Sequence, residues 1–336
     1  MKRISMLGPK KSAIVEIPDV KPNDDEVLVK IKYVGVCMSE HYDWSVAKEG
    51  AAFGHEPMGY IIEVGKNVEG YKVGDRVSGL WGSTLPGSGG MVEYAIANPK
   101  IATVVKIPDN VRDEDAVLEP LACLVSAVSK VNVGMPGDRV CVVGCGYMGC
   151  GAIGLLKMSG AYVVAVDIRA ESRANALKYG ADEAYSPEEA FAKFNPPMQG
   201  FSMVALRAPR GFACVCEWGE TADSLDVAIN LTAMCGRLYI GAYHTGGKRL
   251  VDVQQLNFKD IEMRSTHPRQ SDLSDRGARL AVELISTGKW NYNNVPVKVY
   301  PMNQFDRAHE ELETKYGTYI KALIDMEKLD GEPVLK

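Results

Sequence analysis

The chain has 336 residues, 46% of them hydrophobic and 24% charged, with a formal net charge of -5. At roughly 150 residues per domain, this length suggests about two domains, each large enough to bury its own core. The balance lacks the basic excess that a phosphate backbone demands, and no stretch is long and apolar enough to span a bilayer, so neither nucleic acid nor membrane is expected as a partner.

The N-terminus, Met1-Lys2-Arg3-Ile4-Ser5-Met6, starts basic, but Gly8-Pro9-Lys10-Lys11 stands where a secretory signal needs an apolar core. Up to Glu119-Pro120, short apolar or alternating runs are separated by Gly, Asn and Asp clusters. Residues 27–31, 60–64, 73–77 and 90–95 read as strands of a β-rich domain, and residues 81–89, rich in Gly, Ser and Pro, read as a loop. Beyond Pro120 strand-like and helix-like stretches alternate, the pattern of a parallel sheet with crossover helices. The expected strands are 139–143, 162–166, 212–216 and 238–240. Helices are predicted at 149–159, 170–179 and 221–233, with Gly160, Gly180 and Gly236 as C-terminal stops. Two further helical patterns, around 273–286 and 304–313, and an apolar strand at 319–324 are expected to return to the first domain. The domain expectation is therefore 1–120 with 264–336, and 121–263. Eight cysteines form no C-x-x-C pair and six lie in apolar context, which suits buried thiols in a reducing cytoplasm.

The most testable motif is Gly144-Cys145-Gly146-Tyr147-Met148-Gly149, directly after the apolar run Val140-Cys141-Val142-Val143. In a dinucleotide turn Gly144 permits the tight bend, Gly146 lets the backbone approach a pyrophosphate, and Gly149 allows close helix–strand packing. The same glycines would also serve an ordinary strand-turn-helix. The next strand, however, ends at Asp167, 18 residues beyond Gly149. An acid there hydrogen-bonds the adenosine ribose and repels a 2′-phosphate, so NAD is expected ahead of NADP. Arg169 and Arg173 act against that preference, since a guanidinium accommodates the extra phosphate.

A second constellation comprises Cys37, Gly54-His55-Glu56 and Glu119. A thiolate, an imidazole and carboxylates suit tetrahedral Zn²⁺ with one position open. Taken singly, Cys37 reads as a small buried hydrophobe, His55 as a hydrogen-bonded loop histidine and Glu119 as an acid at a helix N-terminus.

Gly54-His55-Glu56-Pro57-Met58-Gly59, followed by Gly65 and Val68, is similar to the zinc signature of the medium-chain dehydrogenase/reductase superfamily. Gly35-Val36-Cys37-Met38-Ser39-Glu40 resembles its first ligand loop, and Gly74-Asp75-Arg76-Val77, Gly90 with Glu93-Tyr94, and Gly180-Ala181-Asp182 extend the likeness almost end to end. Glu119-Pro120-Leu121-Ala122 resembles the polyol and sugar dehydrogenase branch. The resemblance implies an α/β chain, with a GroES-like β-rich catalytic domain and a Rossmann doubly wound parallel-sheet nucleotide domain. It implies Cys37 and His55 as fixed zinc ligands, with Glu56 and Glu119 exchanging with each other or with water; Ser39 is the candidate to pass on the substrate proton, the alternative role being a helix cap. It further implies Tyr147 and Met148 behind the nicotinamide, Gly241 and Ala242 at its carboxamide, and a cytoplasmic homo-dimer or homo-tetramer.

Two departures qualify the likeness. Only 12 residues separate Val77 from Gly90, so the cysteine-rich lobe that carries a structural zinc in many relatives is missing, and one catalytic zinc is expected. Tyr42 stands at the relay-histidine position and His41 is displaced by one, which alters the proton's exit. Trp44, Phe53, Trp81 and Thr266-His267-Pro268-Arg269 are candidate pocket residues, aromatic packing being the simpler role. The expected function is a zinc-dependent oxidoreductase moving hydride between a secondary alcohol of a polyol, sugar or similar polar substrate and NAD. The alternative is a zinc- and nucleotide-binding protein without net redox turnover, acting as a binding module or in a transient-redox elimination or epimerisation.

Overall fold

The computed structural model describes residues 1–80, 90–195, 210–267, 271–314 and 319–336. The chain divides into two compact units: one of residues 1–125, 269–289 and 293–336, the other of 126–268 with 290–292.

In the first unit β1 (Lys2–Gly8) and β2 (Lys11–Glu16) form a hairpin. The remaining strands build one mixed sheet: β3 (Val27–Val36), β4 (Pro57–Val64), β5 (Arg76–Leu80), β6 (Tyr94–Ala97) and β7 (Thr103–Lys106). The ten residues of β3 are mostly buried and pair with β4, β6 and a C-terminal strand, so β3 is the spine of the unit. Its side chains pack with Trp44, Tyr300, Phe305 and Ile324 in one apolar core. Two strands are shifted from the sequence expectation. The segment 73–75 is a turn with Gly74 at φ +92°, so β5 begins only at Arg76. Residues 90–93 approach β1 through the bridge Arg3–Val92, and regular pairing begins at Tyr94.

The second unit carries β8 (Arg139–Val143), β9 (Tyr162–Val166), β10 (Glu183–Tyr185), β11 (Phe212–Glu217), β12 (Thr232–Ile240) and β13 (Glu262–Ser265). All are parallel, in the order β10-β9-β8-β11-β12-β13. That is the doubly wound order, whose reversal between β8 and β11 opens a crevice at the strands' carboxyl ends. β8 and β9 are almost wholly buried because helices cover both faces, which explains their unbroken Val-rich runs. Capping boxes at Ser186 and Thr221 start the helices Pro187–Phe194 and Ala222–Leu231.

The last of these helices corrects the sequence reading, which runs it to residue 233 and makes Gly236 its stop. It ends at Leu231, and Gly236 lies within β12. β-branched Thr232 leaves the helix, bonds back to the Ala228 carbonyl through Oγ1 at 2.7 Å, and pairs with Phe212. The chain then returns to the first unit with helix Ser271–Ser286, β14 (Val297–Pro301), helix Phe305–Thr314, β15 (Lys321–Asp325) and β16 (Val334–Leu335).

Candidate active site

Strand register, not sequence distance, assembles the candidate metal centre. β3 and β4 are antiparallel with Val34 opposite Pro57, and the Gly35 amide donates to the Glu56 carbonyl at 3.0 Å. Cys37, just past the end of β3, therefore meets His55 and Glu56, just before the start of β4. The Cys37 Sγ, a His55 ring nitrogen and a Glu56 oxygen lie within 4.8 Å of one another. Glu119 enters from the first turn of helix Leu118–Val128, its Oε2 4.0 Å from His55 Nε2. Buried Ser78 holds that helix in place. Its Oγ donates to the Pro57 carbonyl at 2.8 Å and accepts from the Leu118 amide at 3.0 Å, tying the helix to the first residue of β4.

Each donor is oriented from behind. Glu40 Oε1 accepts from the Gly54 amide at 2.8 Å and sits 2.9 Å from His55 Nδ1, so Nδ1 is committed to Glu40 and Nε2 is left for the centre. Ser39 Oγ donates to Cys37 Sγ at 3.1 Å, and Cys123 donates to Glu119 Oε1 at 3.1 Å. Glu56 is 1% exposed and passes over Gly35, where a Cβ would stand 1.8 Å from Glu56 Oε2. Lys321, opposite Cys37 by the β15–β3 register, ion-pairs with Glu56 and donates to the Val36 carbonyl at 3.2 Å.

Burial, then the Glu56 carboxylate, pushes the Cys37 thiol up, and burial likewise raises Glu119. Burial alone would lower His55, yet its contacts with Cys37 and Glu40 push it up to about 12. A divalent cation held by these donors would displace their protons. Glu56 Oε1 is buried without a hydrogen-bond partner among the described residues. One thiol, one imidazole nitrogen and carboxylate oxygens form a donor set that fits Zn²⁺.

The glycine turn lies at the carboxyl end of β8. Gly144 has φ +89°, and a Cβ on Gly149 would stand 1.9 Å from the Gly144 carbonyl oxygen, so helix Tyr147–Met158 packs directly on the turn. A Cβ on Gly146 would meet nothing within 4 Å among the described residues, which leaves that side of the backbone open to a ligand. Asp167, after β9, accepts from the Cys145 amide through Oδ2 and from the Arg169 amide through Oδ1, both at 2.8 Å, so it braces the turn as well as facing it. Arg173 donates to the Asp167 and Ile168 carbonyls. The Tyr147 ring tilts against Tyr292, Met148 is half-buried beside it, and the Gly241 and Ala242 amides both donate to the Glu217 carbonyl.

Of the pocket candidates, Trp44 is fully buried, stacks on His309 at 5.1 Å and donates to Asp306, so it belongs to the core. Phe53 stacks on Phe305. Trp81, Pro268 and Arg269 lie outside the described residues. Tyr42 is exposed, and His41 faces Trp44 and His309 with Nε2 3.4 Å from Glu313. Sequence reasoning gives no role to Glu40, Ser78, Cys123 or Lys321. Signals exist for two of them: Cys123 is one helical turn after Glu119, and Lys321 is the lone charge in the run Tyr319 to Ile324.

Comparison with known proteins follows the same division. Residues 23–109 match the alcohol dehydrogenase GroES-like domain family, and residues 148–283 match the zinc-binding dehydrogenase family. D-xylulose reductase A of Aspergillus niger is 26% identical, covering 92% of this chain and 91% of its own. D-arabitol-phosphate dehydrogenase of Enterococcus avium is 24% identical over 97% of each chain. The crystal structure of 2R,3R-butanediol dehydrogenase from Bacillus subtilis shares the fold with a TM-score of 0.73 at 22% identity, over 96% of this chain and 99% of that one.

Proposed function

The chain belongs to the zinc-dependent medium-chain dehydrogenase/reductase superfamily, in its polyol branch, and from that premise we propose that it interconverts a secondary alcohol of a polyol, sugar or similar polar substrate with its ketone, using NAD. The observation that carries this reading is the convergence of Cys37, His55 and Glu56 within 4.8 Å, with His55 Nδ1 already committed to Glu40.

Cys37 and His55 would hold one zinc ion, with Glu56 and Glu119 available to complete the set. Zinc held there would supply the Lewis acidity that acidifies a substrate hydroxyl, and a nicotinamide dinucleotide would supply the hydride acceptor. The protein's own groups orient these partners and move the proton. Glu40 fixes the imidazole, Lys321 balances the buried Glu56 charge, and Cys123 holds one oxygen of Glu119. Ser39 takes the hydroxyl proton outward after turning from Cys37. Tyr42 is exposed where the relay histidine of relatives stands, so the proton leaves Ser39 towards water on this side.

Gly144, Gly146 and Gly149 would cradle the pyrophosphate of a dinucleotide, and Tyr147, Met148, Gly241 and Ala242 would hold its nicotinamide end. Asp167 would meet the adenosine ribose, and its carboxylate, buried at the end of β9, supports NAD over NADP. Arg169 and Arg173 flank it, but each engages Asp167 or its backbone. We place the enzyme in the cytoplasm as a homo-dimer or homo-tetramer; five thiols buried as core side chains suit a reducing compartment.

The test is a panel of free and phosphorylated sugar alcohols with NAD or NADP, read by reduced-nicotinamide absorbance. The expected outcome is substrate-dependent reduction of NAD, together with one zinc per chain. Stoichiometric zinc without any substrate-dependent absorbance change would leave only a binding role.

A further inference from the structure

Cys123 does not sit where a thiol used merely as a small apolar side chain would sit. Cys141, Cys145, Cys150, Cys214 and Cys216 are buried in the second unit, and Cys235 is exposed. Cys37 and Cys123, the two thiols of the first unit, are half-buried. On helix Leu118–Val128 the neighbouring Leu121, Ala122 and Leu124 are buried in the core, whereas Cys123 shares a face with Glu119, one helical turn before it.

That face meets the donor cluster. Glu119 Oε2 lies 4.0 Å from His55 Nε2, and Cys123 Sγ donates to Glu119 Oε1 at 3.1 Å. The two oxygens of one carboxylate are therefore used differently: Oε1 takes the thiol hydrogen, and Oε2 is left towards His55. Cys123 itself stands outside the cluster, since the donor atoms that lie within 4.8 Å of one another among the described residues are those of Cys37, His55 and Glu56. It reaches the cluster through Glu119.

A carboxylate can hold a cation through one oxygen or through both. A zinc centre that works on a substrate keeps one position open, and a carboxylate closing on the ion with both oxygens would take that position. Ser78 already fixes the start of the helix through the Leu118 amide, so what is left to set is the rotation of the carboxylate. A thiol on one of its oxygens sets it.

We propose that Cys123 is a positioning residue of the metal centre: its thiol occupies Glu119 Oε1, so that Glu119 meets the ion through Oε2 alone and a coordination position stays open for substrate. This rests on the reading of the cluster as a zinc site and adds to it a control on how one ligand binds. Valine or alanine at this position has no hydrogen to give, whereas serine keeps a donor.

The test loads the full chain with cobalt(II) in place of zinc and compares visible spectra of the parent with those of Cys123→Val, Cys123→Ala and Cys123→Ser. Cobalt(II) absorbs strongly when four-coordinate and weakly when a fifth ligand atom is added, so the bands read the denticity of Glu119 without turnover. The expected outcome is strong bands in the parent and in Cys123→Ser, and loss of about half of that intensity or more in Cys123→Val and Cys123→Ala. The sulfur-to-cobalt charge-transfer band should be equal throughout, Cys37 being the thiolate. Identical visible spectra in the parent and all variants overturn the proposal, as does a weak, five-coordinate spectrum in the parent. A charge-transfer band that shrinks in every Cys123 variant also overturns it, by making Cys123 a ligand in its own right. If the parent takes up neither zinc nor cobalt stoichiometrically, it is the zinc reading that falls, and the proposal with it.

Discussion

Glu40 lies outside the candidate ligand set and is tied to it by two contacts. By holding His55 Nδ1 at 2.9 Å and the Gly54 amide at 2.8 Å, it fixes both the tautomer and the approach of the ring. Glu40→Ala should lower zinc affinity about 10- to 100-fold, measured by competition with a chromogenic chelator, while secondary structure by circular dichroism stays that of the parent. Lys321 is more exacting because it and Glu56 are both almost fully buried. Burial works against its charge, but Glu56 and Cys37 raise its pKa. Lys321→Met strands the Glu56 carboxylate, and the expected loss is about 3–5 kcal/mol in urea unfolding of the zinc-free protein, with the double variant carrying Glu56→Gln recovering part of it. A lone lysine in an apolar strand is visible in the sequence, but its partner 265 residues away is not.

At the level of elements, helix Leu118–Val128 owes its position to Ser78. Ser78→Ala leaves the Leu118 amide and the Pro57 carbonyl without their buried partner, so stability should fall by about 1–3 kcal/mol and zinc affinity with it, both read from denaturant midpoints taken with and without metal. Helix Phe305–Thr314 brings a different liability. His309 lies against Trp44, Phe305 and His41, and burial, followed by the neighbouring His41, pushes its pKa down to about 3. The unfolded chain therefore takes up this proton more readily than the folded one. His309's contribution is complete above its ordinary value near 6.5 and is lost as pH falls from there towards 3, at up to ~1.4 kcal/mol per pH unit. Denaturant midpoints should drop across that window in the parent and drop less steeply in His309→Leu. A histidine on the inward face of a predicted helix gives no hint of this in the sequence, because its surroundings come from residues 41 and 44.

For the molecule as a whole, the candidate zinc ligands lie in the first unit and the glycine turn in the second, so the proposed zinc and dinucleotide sites belong to different units. Chelation should abolish turnover yet leave NAD binding measurable, and NAD at about 100 times its Kd should stabilise the chain by ~2.7 kcal/mol, seen as a raised thermal midpoint. Loss of NAD binding on chelation would show that the units do not bind independently.

The sequence by itself determined the alternation of short strands, the parallel-sheet unit and the glycine turn, because each is written in residues close together or in a local period, whereas Cys37, His55, Glu56 and Glu119 stand far apart and become ligand candidates only through a family resemblance. Only the tertiary structure decided that β12 starts at Thr232, that Trp44 is core, and that Glu40, Ser78 and Lys321 stand behind the donors. Those outcomes depend on strand register, Val34 opposite Pro57 and Ala322 opposite Val36, and a hydrogen-bond register joins residues that no local pattern relates.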